Sequence, residues 1–171
     1  MIAQEFALKY ANRVDKLILL GTSAGLDGYS RVVLQNMVNV RRSNMSREQL
    51  VRNTAPFIYS AALLDDGERY ERAIQATVDN PYTQQDHAFI RQVQAILAWD
   101  ATSRSNGIKS STLVVTNSDD ILVPPRNGEK LSKLISGAKL VSLDGGHAGV
   151  TEAPHEHNTA FLEFLGAAVP A

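Results

Sequence analysis

The sequence predicts an α/β fold: a partial parallel sheet of three recognisable strands with a long helical insertion between two of them. Three observations predict it. Lys16–Leu20, Thr112–Thr116 and Lys139–Leu143 are short and apolar with little alternation, as strands buried on both faces are. Helical patterns separate the later strands, and strand–helix–strand order belongs to parallel sheets. The stretch 29–100 carries helical periodicity throughout and no strand signal.

Taken in order, Ile2, Phe6, Ala7 and Tyr10 fall at helical spacing, with no capping residue ahead of them. An uncapped start reads as a chain that begins mid-fold. Asn12 and Arg13 make a turn, and the first strand, Lys16–Leu20, stops at Gly21. Gly21 to Gly28 is a loop. Within 29–100, Val32, Val33, Leu34, Met37, Val38 and Val40 form one wide apolar stripe. Ser46 with Gln49 resembles a capping box opening a second helix. Glu68–Val78 and Gln84–Trp99 read as two more helices, with joints at Pro56, Gly67 and Pro81. Ser103–Ser111 is a polar linker into the second strand. Helices at Gly128–Ile135 and His155–Leu165 flank the third strand and the loop Asp144-Gly145-Gly146-His147. The domain reading is a partial core at 1–28 and 101–171 around a helical cap at 29–100.

The bulk composition narrows the function classes. The chain has 171 residues, enough for one domain with a real core. A formal net charge of -1 offers no electrostatic argument for nucleic acid or an anionic membrane surface. Cysteine is absent, which excludes disulfides, thiolate nucleophiles and Cys-based metal sites, and is compatible with the cytoplasm. No apolar run approaches the roughly 20 residues that span a bilayer. No signal-peptide order opens the chain.

Two residues carry the strongest chemical signal. Asp120 opens Asp120-Ile121-Leu122-Val123-Pro124 just past the second strand, and His147 follows Gly146 just past the third. Functional groups of parallel sheets gather at the carboxyl ends of strands. A carboxylate beside an imidazole fixes its tautomer and stabilises the imidazolium. Taken singly, each residue reads as a structural turn Asp or a packed loop His. At corresponding places on consecutive strands, the pair is favoured. The other histidines are weaker: His155 and His157, two apart at a helix start, make a poor metal site and read as a solvated helix end. His87 reads as a surface residue, and Phe89, Ile96 and Trp99 as a core stripe.

These same segments, Thr112–Pro125 and Leu131–His147, resemble the end of an α/β-hydrolase. The likeness is to the enol-lactonase, haloperoxidase and ring-cleavage hydrolase group. There an Asp in an Asp-x-x-Val-Pro setting supports a His after the next strand. Asp120 and His147 match, while Asp119 stands one residue too far from Val123-Pro124. Met1–Tyr10 resembles the helix that follows the family's nucleophile elbow, Lys16–Thr22 its sixth strand, 29–100 its cap, and the helix around Glu163 its last helix. The resemblance spans essentially the whole chain, and the family's Gly-x-Ser-x-Gly elbow would end a few residues before Met1. Asn117 departs from the pattern, standing where the family usually has Gly, and Ser111 and Ser136 replace frequent prolines.

Gly21-Thr22-Ser23-Ala24-Gly25 is itself a Gly-x-Ser-x-Gly string after a strand, and the order Ser23, Asp120, His147 matches a Ser/Asp/His triad. A true elbow passes straight into a helix, whereas Leu26, Asp27 and Gly28 intervene here. A glycine-rich loop is the plainer reading of that string.

The resemblance implies hydrolysis of an ester, lactone or related carbonyl substrate. Ser23 or a partner's residue would attack, His147 would act as base then acid, and Asp120 would orient it. The Ala24 N–H would serve as oxyanion donor. This chemistry implies no cofactor and no metal. The alternative is a non-catalytic, truncated hydrolase that binds a small molecule or a protein. A sheet of three strands also leaves Lys16–Leu20 as an unblunted edge, predicted to be covered by a second copy or another partner.

Overall fold

The computed structural model describes residues 1–167. Its sheet is parallel throughout, in the order β1 (Lys16–Leu20), β2 (Ser111–Asn117), β3 (Lys139–Leu143). Lys16 lies opposite Ser111 and Leu113 opposite Lys139, so the three strands are staggered along the sheet. Val114 and Val115 are completely buried, because the central strand is covered on both faces.

Helix α1 (Ile2–Lys9) buries Gln4 and Ala7 against the sheet and leaves Ile2, Phe6 and Tyr10 exposed. Helix α7 (Pro125–Leu134) opens on a proline, whose fixed φ suits a first helical turn, and buries Leu131. The main core joins Ala7 with Leu17 and Leu19 of β1, Val114 of β2, Leu131 and Ile135. Helix α9 (Pro154–Leu165) ends at Gly166 in the left-handed conformation. The last two residues of α9 also receive the Lys16 Nζ at their carbonyls, at 3.1 and 2.8 Å.

Between β1 and β2 runs a helical insertion: α2 (Gly28–Arg41), α3 (Arg47–Ile58), α4 (Ala61–Asp65), α5 (Gly67–Val78) and α6 (Asp86–Ala98). Asp27 caps α2 through the Ser30 N–H at 2.8 Å, and Ser46 and Gln49 form the expected reciprocal capping box on α3. Two expectations are corrected here. Pro56 is not a joint but lies inside the last turn of α3, where the missing N–H frees one carbonyl near a helix end. The joint comes three residues later, and Ser60 caps a short helix that periodicity did not reveal. Val32 is 56% exposed, so the buried face of α2 is narrower than its apolar stripe and rests on Val33, Met37 and Val38.

The insertion is held to the sheet end by a second core. Val33 and Met37 pack on Leu122, with Phe57, Ile58, Phe89 and Val123 around them. Leu122 and Val123 belong to the loop that begins at Asp120. One loop therefore anchors the insertion and presents a carboxylate.

Candidate active site

Three loops at the carboxyl ends of the strands build the site. After β2 the chain turns at Asp120, whose N–H donates to the Asn117 carbonyl at 3.1 Å. Its Oδ1 accepts the Val123 N–H at 2.7 Å, a bond that closes the loop on itself. Its Oδ2 lies 2.8 Å from His147 Nδ1, so the structure brings together the two residues singled out in the sequence. The carboxylate side chain is 1% exposed and the imidazole 31%. A carboxylate only accepts, so Nδ1 donates to it, and in the neutral imidazole that leaves the lone pair on Nε2.

Gly21, the first residue past β1, covers this pair. Its φ is +51°, and a Cβ there would sit 3.4 Å from both Asp120 Oδ2 and His147 Nδ1. A left-handed turn without a side chain lets the β1 loop pass directly over the two groups.

Ser23 lies in the same loop, 2% exposed, and its carbonyl accepts the Gln4 Nε2–H at 3.0 Å. No hydrogen bond joins its hydroxyl to His147. The chain leaves β1 at Leu20 and enters α2 only at Gly28, so no tight strand–turn–helix elbow forms around it. The Ala24 carbonyl accepts the Ala101 N–H at 2.7 Å, and Ala24 itself is buried.

A cavity of about 850 Å³ opens beside His147. Leu26, Leu34, Ile96 and Trp99 give it apolar walls, Ser23 and Thr22 lie on its floor, and α1 forms one side with Phe6. Ile96 and Trp99 therefore line a cavity, which corrects the core reading for these two, while Phe89 of the same stripe packs in the second core as expected. Glu5 stands at the rim, where Arg104 donates two bonds at 2.7 and 2.9 Å and Trp99 Nε1 a third at 2.8 Å. The Arg104 hydrogen bonds, then the Trp99 one, hold its carboxyl at about 2, well below the ordinary glutamate value.

His157 overturns an expectation. It is fully buried, not a solvated helix end. Its Nδ1 meets the Ala153 carbonyl and its Nε2 meets Asn117 Oδ1, each at 2.8 Å. Asn117 in turn donates to the Gly146 carbonyl at 2.7 Å, next to His147. His155 and His87 are exposed as expected. Glu152 was passed over in the sequence because its partners, Ser60 and Gly146, are brought to it only by folding. Among the described residues, no helix is long and apolar enough to cross a membrane.

The family model described as the alpha/beta hydrolase fold matches residues 1–154. The chain belongs to the α/β-hydrolase family. A putative carbamate hydrolase, RutD, of Rhizobium rhizogenes is 29% identical over 98% of this chain and 63% of its own length. A 2-hydroxy-6-oxononadienedioate/2-hydroxy-6-oxononatrienedioate hydrolase of Escherichia coli K12 is 27% identical over 94% of this chain and 57% of its own. Among solved structures, the enol-lactonase from Burkholderia xenovorans superposes with a TM-score of 0.82 at 25% identity, covering 96% of this chain and 61% of the enzyme. The chain thus spans less than two thirds of each of these relatives. Among the described residues, the α/β-hydrolase sheet comprises the three parallel strands given above.

Proposed function

We propose that this chain carries the acid–base half of a Ser/His/Asp-type hydrolase site, acting on an ester, lactone or related carbonyl substrate. One observation carries the reading: the buried Asp120 holds His147 by Nδ1 at 2.8 Å beside an apolar cavity. In this arrangement Nε2 takes a proton from the attacking hydroxyl and returns it to the leaving group. Asp120 keeps the imidazole in the one tautomer that leaves Nε2 free and stabilises the imidazolium as it forms. The cavity, walled by Leu34, Ile96 and Trp99, suits a substrate with an apolar acyl or ring portion. The helical insertion acts as a cap over it.

Ser23 shares that cavity and is the nucleophile candidate within the chain. Its missing contact with His147 favours a second source: a group from a partner that docks against α1 and the free edge of β1. Carbamate hydrolysis and ring-cleavage hydrolysis, the activities named for the relatives, both act on carbonyl carbon and fit this reading.

The test is hydrolysis of a p-nitrophenyl butyrate-type ester by the purified chain, beside Ser23→Ala and His147→Ala. Loss in both variants assigns attack to Ser23. Loss in His147→Ala alone assigns it elsewhere. A wild-type rate equal to buffer, while the single tryptophan, Trp99, still reports saturable ligand binding, replaces the enzyme with a binding module.

A further inference from the structure

The loop that carries His147 is hydrogen-bonded to the helical insertion as well as to the loop after β2. The carboxylate of Glu152, on the short helix α8 (Gly149–Glu152), gathers its donors from both sides. From the His147 loop it accepts the Gly146 N–H at 3.1 Å. From the insertion it accepts the Ser60 N–H, 3.2 Å from each oxygen, and the Ser60 hydroxyl proton. The same hydroxyl oxygen accepts the Leu63 N–H at 3.2 Å, so the cap of α4 and the carboxylate share one serine. On the other side of His147, the Ala148 N–H donates to the Ile58 carbonyl at 2.9 Å. Space is as tight as the bonding: a Cβ on Gly146 would come within 2.5 Å of the Tyr59 carbonyl carbon and 2.6 Å of the Ser60 nitrogen.

We propose that Glu152 is a positioning residue, whose carboxylate bridges Ser60 of the insertion and Gly146 so that His147 is aimed by the seat of the insertion. The proposal rests on the acid–base reading of His147. Its physical basis is donor counting. Three donors converge on one side chain, and a carboxylate accepts at both oxygens without a donor of its own. Glutamine has the same shape but turns one acceptor into a donor, so the Ser60 hydroxyl must switch from donating to accepting and the bonds lose their charge assistance. The Gly146 N–H then loses its charged acceptor, the Asn117 bond to the Gly146 carbonyl is left to hold that side, and the Ala148–Ile58 bond beyond His147 loosens. Asp120 alone cannot replace that anchor, because one hydrogen bond fixes the ring's direction but not the path of its backbone.

Solution NMR on the full chain decides this without relying on turnover. Two signals are followed in wild type, Glu152→Gln and Ser60→Ala: hydrogen exchange at the Ala148 amide, and the downfield proton on His147 Nδ1. Neither group is hydrogen-bonded to the Glu152 carboxylate. In Glu152→Gln, Ala148 exchange is expected to rise roughly tenfold or more, the range set by losing a charge-assisted hydrogen bond. The Nδ1 proton should broaden as its bond to Asp120 becomes intermittent. Ser60→Ala removes one donor and keeps the carboxylate, so the same changes should appear in smaller measure. Should Glu152→Gln not fold cooperatively, Ser60→Ala decides. Wild-type exchange at Ala148 with a wild-type Nδ1 signal in the folded variants overturns the proposal. A chain that hydrolyses no ester yet shows these changes supports it and removes the hydrolase reading instead.

Discussion

Replacing Asp120 by Asn separates stability from chemistry at this site. The carboxylate is 1% exposed and accepts two bonds, from Val123 N–H at 2.7 Å and His147 Nδ1 at 2.8 Å. Asparagine keeps one acceptor. If that oxygen stays on Val123, the amide nitrogen faces His147 and must donate. The imidazole satisfies it by moving its proton from Nδ1 to Nε2. Both bonds survive, but neutral ones are weaker than charge-assisted ones by about 1 kcal/mol each. That gives an upper limit near 2 kcal/mol, partly offset because a neutral amide is easier to bury than a carboxylate. At roughly 2–4 °C per kcal/mol for a domain of this size, Tm should fall by less than about 8 °C. Catalysis should suffer far more, because Nε2 has lost its lone pair; a wrong tautomer of this kind lowers kcat by about 10⁴ in a serine protease. Nitrogen-15 shifts of the His147 ring read the tautomer directly, beside thermal unfolding and ester hydrolysis. An unchanged tautomer with a rate within tenfold of wild type would refute the reasoning.

Two further outcomes follow from the same coordinates. Glu5 has its carboxyl held at about 2, by Arg104 and then Trp99, against an ordinary 4.5. A depressed folded value means that its stabilising effect is whole above about pH 4.5 and fades as the pH falls toward 2. The Tm gap between wild type and Glu5→Gln should therefore close between pH 5 and 2, and be smaller in high salt because the group is exposed; a gap independent of pH sinks this. The outer edge of β1 is unpaired among the described residues. We expect association at micromolar concentration through this edge, read by sedimentation and weakened by a lysine at Ile18; a stable monomer counts against it.

Much of the fold was legible because short buried strands and amphipathic helices write themselves into local composition. The runs Lys16–Leu20 and Lys139–Leu143 became strands with those very bounds. Asp120 and His147 stood out because each follows a strand in a recognisable setting, and a parallel sheet collects such positions at one end. The errors share a cause. Ile96 and Trp99 have the spacing of core residues, and spacing shows which side of a helix is apolar without showing whether that side meets another helix or a cavity. His157 looked solvated because its neighbours His155 and Glu156 are polar, and only the approach of Asn117, forty residues earlier, reveals why it is buried.

The sequence by itself determined the three strands, the parallel sheet and the two residues that meet at its end, because these depend on periodicity and on connections that are short or fixed in hand. Tertiary structure alone decided that Gly21 covers the Asp120–His147 pair, that Ser23 makes no hydrogen bond to it, and that Glu152 joins Ser60 to Gly146. The last of these closes a contact across 92 residues. A hydrogen bond forms only within about 3.5 Å, and nothing in local composition encodes which distant loops will approach so closely.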